Sequence, residues 1–93
     1  MNIFSNLRVY AGKWSVKETR NFTAEEIAQV SQAVVVPSDY GNSVQFTMVS
    51  GGLTYIPLDQ HSNCAIGEVI DLAKAKLTTL KKDGEADIYR VTV

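Results

Sequence analysis

The sequence predicts a mainly β protein, a β-rich α+β chain of short antiparallel strands with one short helix near its N-terminus. Three observations predict it. Turn chemistry recurs from residue 39 onward, at Asp39-Tyr40-Gly41-Asn42, Gly51-Gly52 and Asp83-Gly84. Between the first two turns, Val44-Gln45-Phe46-Thr47-Met48-Val49 alternates as a half-buried strand does. Only one segment opens like a well-capped helix, and β-branched residues soon overtake it.

The 93 residues predict a single domain spanning 1–93, because two cores of half this size would each be too small. Area scaling gives about 5,300 Å² of folded surface, with about 64% of the unfolded chain's surface removed from water, enough for a core without covalent staples.

Along the chain, residues 7–22 carry two apolar-rich stretches around Leu7-Arg8-Val9-Tyr10 and Trp14-Ser15-Val16, parted by Gly12. They read as one bent strand or two short ones. Thr23-Ala24-Glu25-Glu26 then fits a capping box, with Phe22 and Ile27 as the flanking hydrophobic staple. The helix is short because Val34-Val35-Val36 disfavours it and Pro37 forbids its continuation. Strands are expected over 33–37, 43–50 and 53–58, the last two joined by a two-residue turn at Gly51-Gly52. That turn sets Met48 opposite Tyr55 and Phe46 opposite Pro57.

Residues 59–67 are a polar loop, and Asp71 to Lys82 is ambiguous. Asp71 could cap a helix bearing Leu72, Ala75, Leu77 and Leu80, yet Leu77-Thr78-Thr79-Leu80 is poor helix material. The favoured reading is a helical turn near 71–75, then a hairpin of 76–82 with 86–93 about Asp83-Gly84. A two-residue turn there sets Lys74, Lys76 and Tyr89 on one face, with Leu77 and Ile88 on the other.

Charge is distributed unevenly beneath a formal net of −1. Residues 1–22 hold Arg8, Lys13, Lys17 and Arg20 against Glu18, and residues 73–93 hold Lys74, Lys76, Lys81, Lys82 and Arg90 against Asp83, Glu85 and Asp87. The stretch 23–72 has no Lys or Arg, only Glu25, Glu26, Asp39, Asp59, Glu68 and Asp71. If the fold brings the termini together, their cations pool into a surface that attracts polyanions despite the overall balance.

Three strands, a connector and two strands is the order of an oligonucleotide/oligosaccharide-binding (OB) barrel of five to six strands. Val34-Val35-Val36 to Gly41, SVQFTMVSGGLTYIPL and IGEVIDLAKAKLTTLKKDGEADIYRV together resemble the small barrel-type single-stranded DNA-binding proteins of phages and mobile elements. The resemblance rests on strand order and spacing. It makes 33–93 an OB-like β core and 1–32 an N-terminal strand and helix appendage.

The function expected is non-catalytic binding of single-stranded DNA or RNA, with cations on phosphates and aromatic rings on bases. Lys74, Lys76 and Tyr89 form one candidate group; Lys13, Trp14, Lys17 and Arg20, beside Tyr10, form the second. Trp14 and Tyr89 fit core positions as well as stacking ones, because one residue of register exchanges the faces. The alternative is a small structural or protein-interaction domain, oligomeric through an exposed strand edge or the second apolar face of the 44–58 hairpin.

Other classes find little support. No apolar run approaches the roughly 20 residues of a membrane span. The lone Cys64 excludes a disulfide framework and, with an N-terminus unlike a secretory signal, points to the cytoplasm. His61 and Cys64 lack the further ligands a zinc site needs and the third group a Cys-His nucleophile needs. Gly51-Gly52 precedes a strand rather than a phosphate-cradling helix. No enzyme activity, cofactor or metal is expected.

Overall fold

The computed structural model describes residues 14–39, 41–82, 84 and 86–93. Its elements are β1 (Ser15–Asn21), α1 (Ala24–Ala28), β2 (Val30–Ser38), β3 (Gly41–Met48), β4 (Leu53–Pro57), β5 (Lys76–Lys81) and β6 (Ile88–Thr92). The chain is mainly β, as expected, with one short helix. Of the strand reading over 7–22, the part before Trp14 lies outside the described residues.

The helix forms where the capping box puts it. The Thr23 hydroxyl accepts from the Glu26 amide at 3.1 Å, and the Glu26 carboxylate accepts from the Thr23 amide at 2.9 Å. It ends after five residues, and β2 begins at Val30, three residues before the expected strand. Phe22 and Ile27 both join the core cluster. Arg20 locks this corner, its two terminal nitrogens donating to the two Glu26 oxygens at 2.8 and 2.9 Å.

These Arg20 hydrogen bonds hold the Glu26 carboxyl below its ordinary range. A carboxyl whose folded-state value is depressed stabilises the fold above its unfolded value, about 4.3, and loses that contribution as pH falls below it. Glu26→Ala, which removes the carboxylate half of the capping box and the ion pair but keeps the Thr23 cap, is expected to cost about 1 kcal/mol at neutral pH. Urea melts at pH 7 and pH 3 check this: the gap between variant and parent should narrow at the lower pH.

The strands make two three-stranded antiparallel sheets, β1-β5-β6 (sheet A) and β2-β3-β4 (sheet B), rather than a closed barrel. A parallel bridge between Leu58 and Val91 joins them, and the Asp59 amide donates to the Val91 carbonyl at 2.7 Å. Residues 67–70 run along the outer edge of β2, with bonds from Gly67 to Val35, Val35 to Glu68 and Ile70 to Ala33. Part of that edge is thereby satisfied by the loop.

Between Leu58 and β5, Asp71 organises a single turn. Its carboxylate accepts from Ala73, and its carbonyl accepts from Lys74 and Ala75. Strand pairing of Leu77-Thr78-Thr79-Leu80 in β5 resolves the ambiguous segment as a turn followed by a strand.

Two expected registers are corrected. In β3–β4, Gln45 faces Tyr55, Phe46 faces Thr54 and Ser43 faces Pro57. Met48 therefore does not face Tyr55, nor Phe46 face Pro57. The turn is longer than Gly51-Gly52, because the Gly51 amide bonds the Met48 carbonyl and the Met48 amide bonds the Gly52 carbonyl. Both glycines have positive φ, 93° and 87°, in a wider loop. The three-residue slip turns Tyr55 outward and Ile56 inward.

In β5–β6, Leu77 faces Val91, Thr79 faces Tyr89 and Leu80 faces Ile88. Gly84 thus sits at the centre of symmetry instead of second in a two-residue turn. The single-residue slip moves Tyr89 from the Lys76 face to the Leu77 face.

The core lies between the sheets and the connector. Ala33, Val35, Val44, Phe46 and Ile56 come from sheet B, Leu77, Tyr89 and Val91 from sheet A, and Leu58, Ile70, Leu72 and Ala75 from the connector. Phe22 packs beneath, its ring centroid 6.3 Å from that of Phe46. The surface of 5772 Å² lies close to the scaling value of about 5,300 Å².

Candidate nucleic-acid interface

The two cationic ends of the chain meet as neighbouring strands. Antiparallel pairing runs from Ser15 opposite Lys81 to Asn21 opposite Lys76, with a bulge between Val16 and Glu18. Among the described residues, Lys17 and Arg20 lie on β1, Lys76 and Lys81 on β5, and Arg90 on β6, with Lys74 just before β5 and Lys82 just after it. Sheet B carries no Lys or Arg. Lys13 and Tyr10 lie outside the described residues.

Strand alternation divides these cations between the faces of sheet A. On the side turned toward the core, Lys17 and Arg20 are each paired with an acid. Lys17 donates to Asp87 at 2.9 Å, and that bond raises its ammonium above the ordinary lysine range. Arg20 is held by Glu26, whose side chain is only 14% exposed. The expected site residues Lys17 and Arg20 are therefore already ion-paired.

The opposite side is different in character. Asn21, Lys76 and Thr92 form one row across the sheet, and Thr19, Thr78 and Arg90 form the next. Lys76 donates to the Asn21 side-chain carbonyl at 3.0 Å, a neutral partner that leaves its charge uncompensated. The Thr19 and Thr78 hydroxyls share a 3.1 Å hydrogen bond. Toward the other end, Thr78, Leu80 and Ile88 are buried. The Lys82 ammonium lies 5.9 Å from the centre of the half-buried Trp14 ring, within cation–π range. Lys74 is exposed in the Asp71 turn, two residues before Lys76.

Tyr89 is not brought together with Lys74 and Lys76. It is 6% exposed and belongs to the core cluster, and burial raises its phenol above the ordinary range. Tyr89→Ala is expected to destabilise the fold by about 3 kcal/mol through the lost core volume. Tyr89→Phe should leave oligonucleotide binding unchanged in a fluorescence-anisotropy titration.

Among the described residues, the aromatic that does face solvent is Tyr55, 39% exposed on the outward face of sheet B, its hydroxyl donating to the Gln45 side chain at 3.0 Å. Sequence reasoning missed it because the β3–β4 register hid its outward direction. Arg90 was likewise missed; the signal that finds it is its parity with Lys76 once Gly84 is centred in the last turn.

The remaining reactive side chains are ordinary. His61 is exposed. The Cys64 thiol is pushed up by burial and by neighbouring Glu68, which opposes formation of a thiolate. Among the described residues, no helix is long and apolar enough to cross a membrane. Comparison with family models, curated proteins and solved structures gave no match.

Proposed function

We propose that this chain is a non-catalytic module that binds single-stranded nucleic acid along sheet A. The observation that carries the reading is charge segregation: every described Lys and Arg lies on or beside sheet A, and none lies on sheet B. A nucleic-acid backbone is the extended polyanion such a surface attracts, and releasing its counterions supplies the affinity. Lys74, Lys76 and Lys82 contact phosphates, and Trp14, beside Lys82, offers a ring to a base.

Strand order also supports an OB-like architecture. The run β2-β3-β4 continues through the parallel Leu58–Val91 bridge to β6, β5 and β1. Helix α1 links β1 to β2 along the chain. A partly open five-stranded Greek-key barrel, widened here by one strand, fits that order.

A second reading, a protein-interaction domain, draws on the outward face of sheet B, where Leu53 is 52% and Val69 60% exposed beside Tyr55. One experiment separates the two. Fluorescein-labelled oligo-dT is titrated with the full chain, followed by anisotropy, and the same chain is sedimented without nucleic acid. Saturable binding that favours the single strand over its duplex is the result expected. A stable oligomer that ignores both oligonucleotides overturns the nucleic-acid reading.

A further inference from the structure

The two polar rows on the side of sheet A away from Leu77 and Tyr89 contain two cations, three hydroxyls and one carboxamide, but no carboxylate. Successive rows on one face are about 6.8 Å apart along the strands, so Lys76 and Arg90 stand diagonally adjacent on neighbouring strands. Among the described residues, the carboxylates near sheet A belong elsewhere: Glu18 pairs opposite Thr79 and shares the core-facing side, and Asp87 holds Lys17.

Arg90 is the unusual member. Its Nε is buried yet has no hydrogen-bond partner. A guanidinium N–H removed from water without an acceptor is disfavoured, and its planar fork matches the oxygens of a phosphate. Lys76, already held by Asn21, retains two further ammonium donors. Asn21 and Thr19 on β1 and Lys76 on β5 are exposed while Thr78 is buried, so the rows open to solvent at β1 and at Lys76.

From this juxtaposition we infer that Arg90 and Lys76 form a phosphate-binding subsite, with Thr92 beside them as a hydroxyl donor. The subsite rests on the nucleic-acid reading for its natural ligand, a backbone phosphodiester, while its chemistry would also accept free phosphate. Lys76 supplies a compact charge, and Arg90 supplies a directional fork that fixes the strand's register.

The test uses two probes on the full chain. With labelled oligo-dT, Arg90→Gln is expected to weaken binding about tenfold or more and to reduce the salt slope by about 0.7 units, as Lys76→Gln should also do. Arg90→Lys keeps the charge and should recover the slope but only part of the affinity. With inorganic phosphate, the Arg90 Nε–Hε resonance of the unaltered chain should shift on titration, whereas chloride at equal ionic strength should leave it in place. This arm needs no variant to fold.

Salt-dependent oligonucleotide binding that none of the three variants alters overturns the subsite and leaves the wider reading intact. A phosphate-shifted resonance without oligonucleotide binding supports the subsite and removes the nucleic-acid reading. Silence in both arms overturns both.

Discussion

Phe46→Ala is expected to cost about 3–5 kcal/mol, a large part of the roughly 5–15 kcal/mol that stabilises a domain. Phe46 is fully buried where sheet B meets Phe22 and the residues of sheet A. Its removal leaves a void bounded by two strands and a loop that cannot all collapse inward. In urea the midpoint should fall by about 2 M or more, given slopes of about 1–3 kcal/mol per molar for small proteins. Tyr55→Ala, on the outward face one pleat away, should move it far less. Equal midpoints for the two variants would mean that the β3–β4 register is wrong, since a slip of one residue exchanges which of the paired positions point inward.

The second large effect is electrostatic. Replacing Lys74 and Lys76 with glutamine should reduce the slope of log K against log salt by about 1.4 units, and weaken binding to all oligonucleotide sequences alike. Phosphate contacts position a strand without reading its bases. Asp87→Asn should act in the opposite sense, because it releases Lys17 from its ion pair and adds a free cation to the sheet. Anisotropy titrations at four salt concentrations measure both changes. A double lysine variant with an unchanged slope would place the phosphate contacts elsewhere.

What could be read from the sequence was what is encoded locally or by composition. The capping box at Thr23 and Glu26 needs only four adjacent residues, and it forms as expected. Alternation over 44–49 and the turn at Asp39 to Asn42 mark β2 and β3 because each signal sits inside one hairpin. The charge division was legible as well: cations confined to the ends of a chain become a cationic sheet once those ends pair as β1 and β5.

Facing was less legible. Both glycine turns were assigned two residues, and both hairpins close with other lengths, by three residues at Gly51-Gly52 and by one at Gly84. Each odd slip inverts a face, which sends Tyr89 into the core, Tyr55 outward and Arg90 to the side of sheet A away from Tyr89. Ile56 turns inward with the first inversion, whereas Ile88 moves with Arg90 to the other side of sheet A, where it is buried beside Leu80. Closure escaped the sequence for another reason. The sheets meet through one bridge between Leu58 and Val91, residues distant in sequence, and no local pattern announces such a contact.

Oligo-dT affinity measured between 50 and 200 mM salt tests most directly whether sheet A is a polyanion-binding surface. With several lysine and arginine contacts to phosphate, log K should fall linearly with log salt, losing about 0.7 units per contact for a single strand. An affinity that stays flat over that range, or no binding at 50 mM, would contradict it.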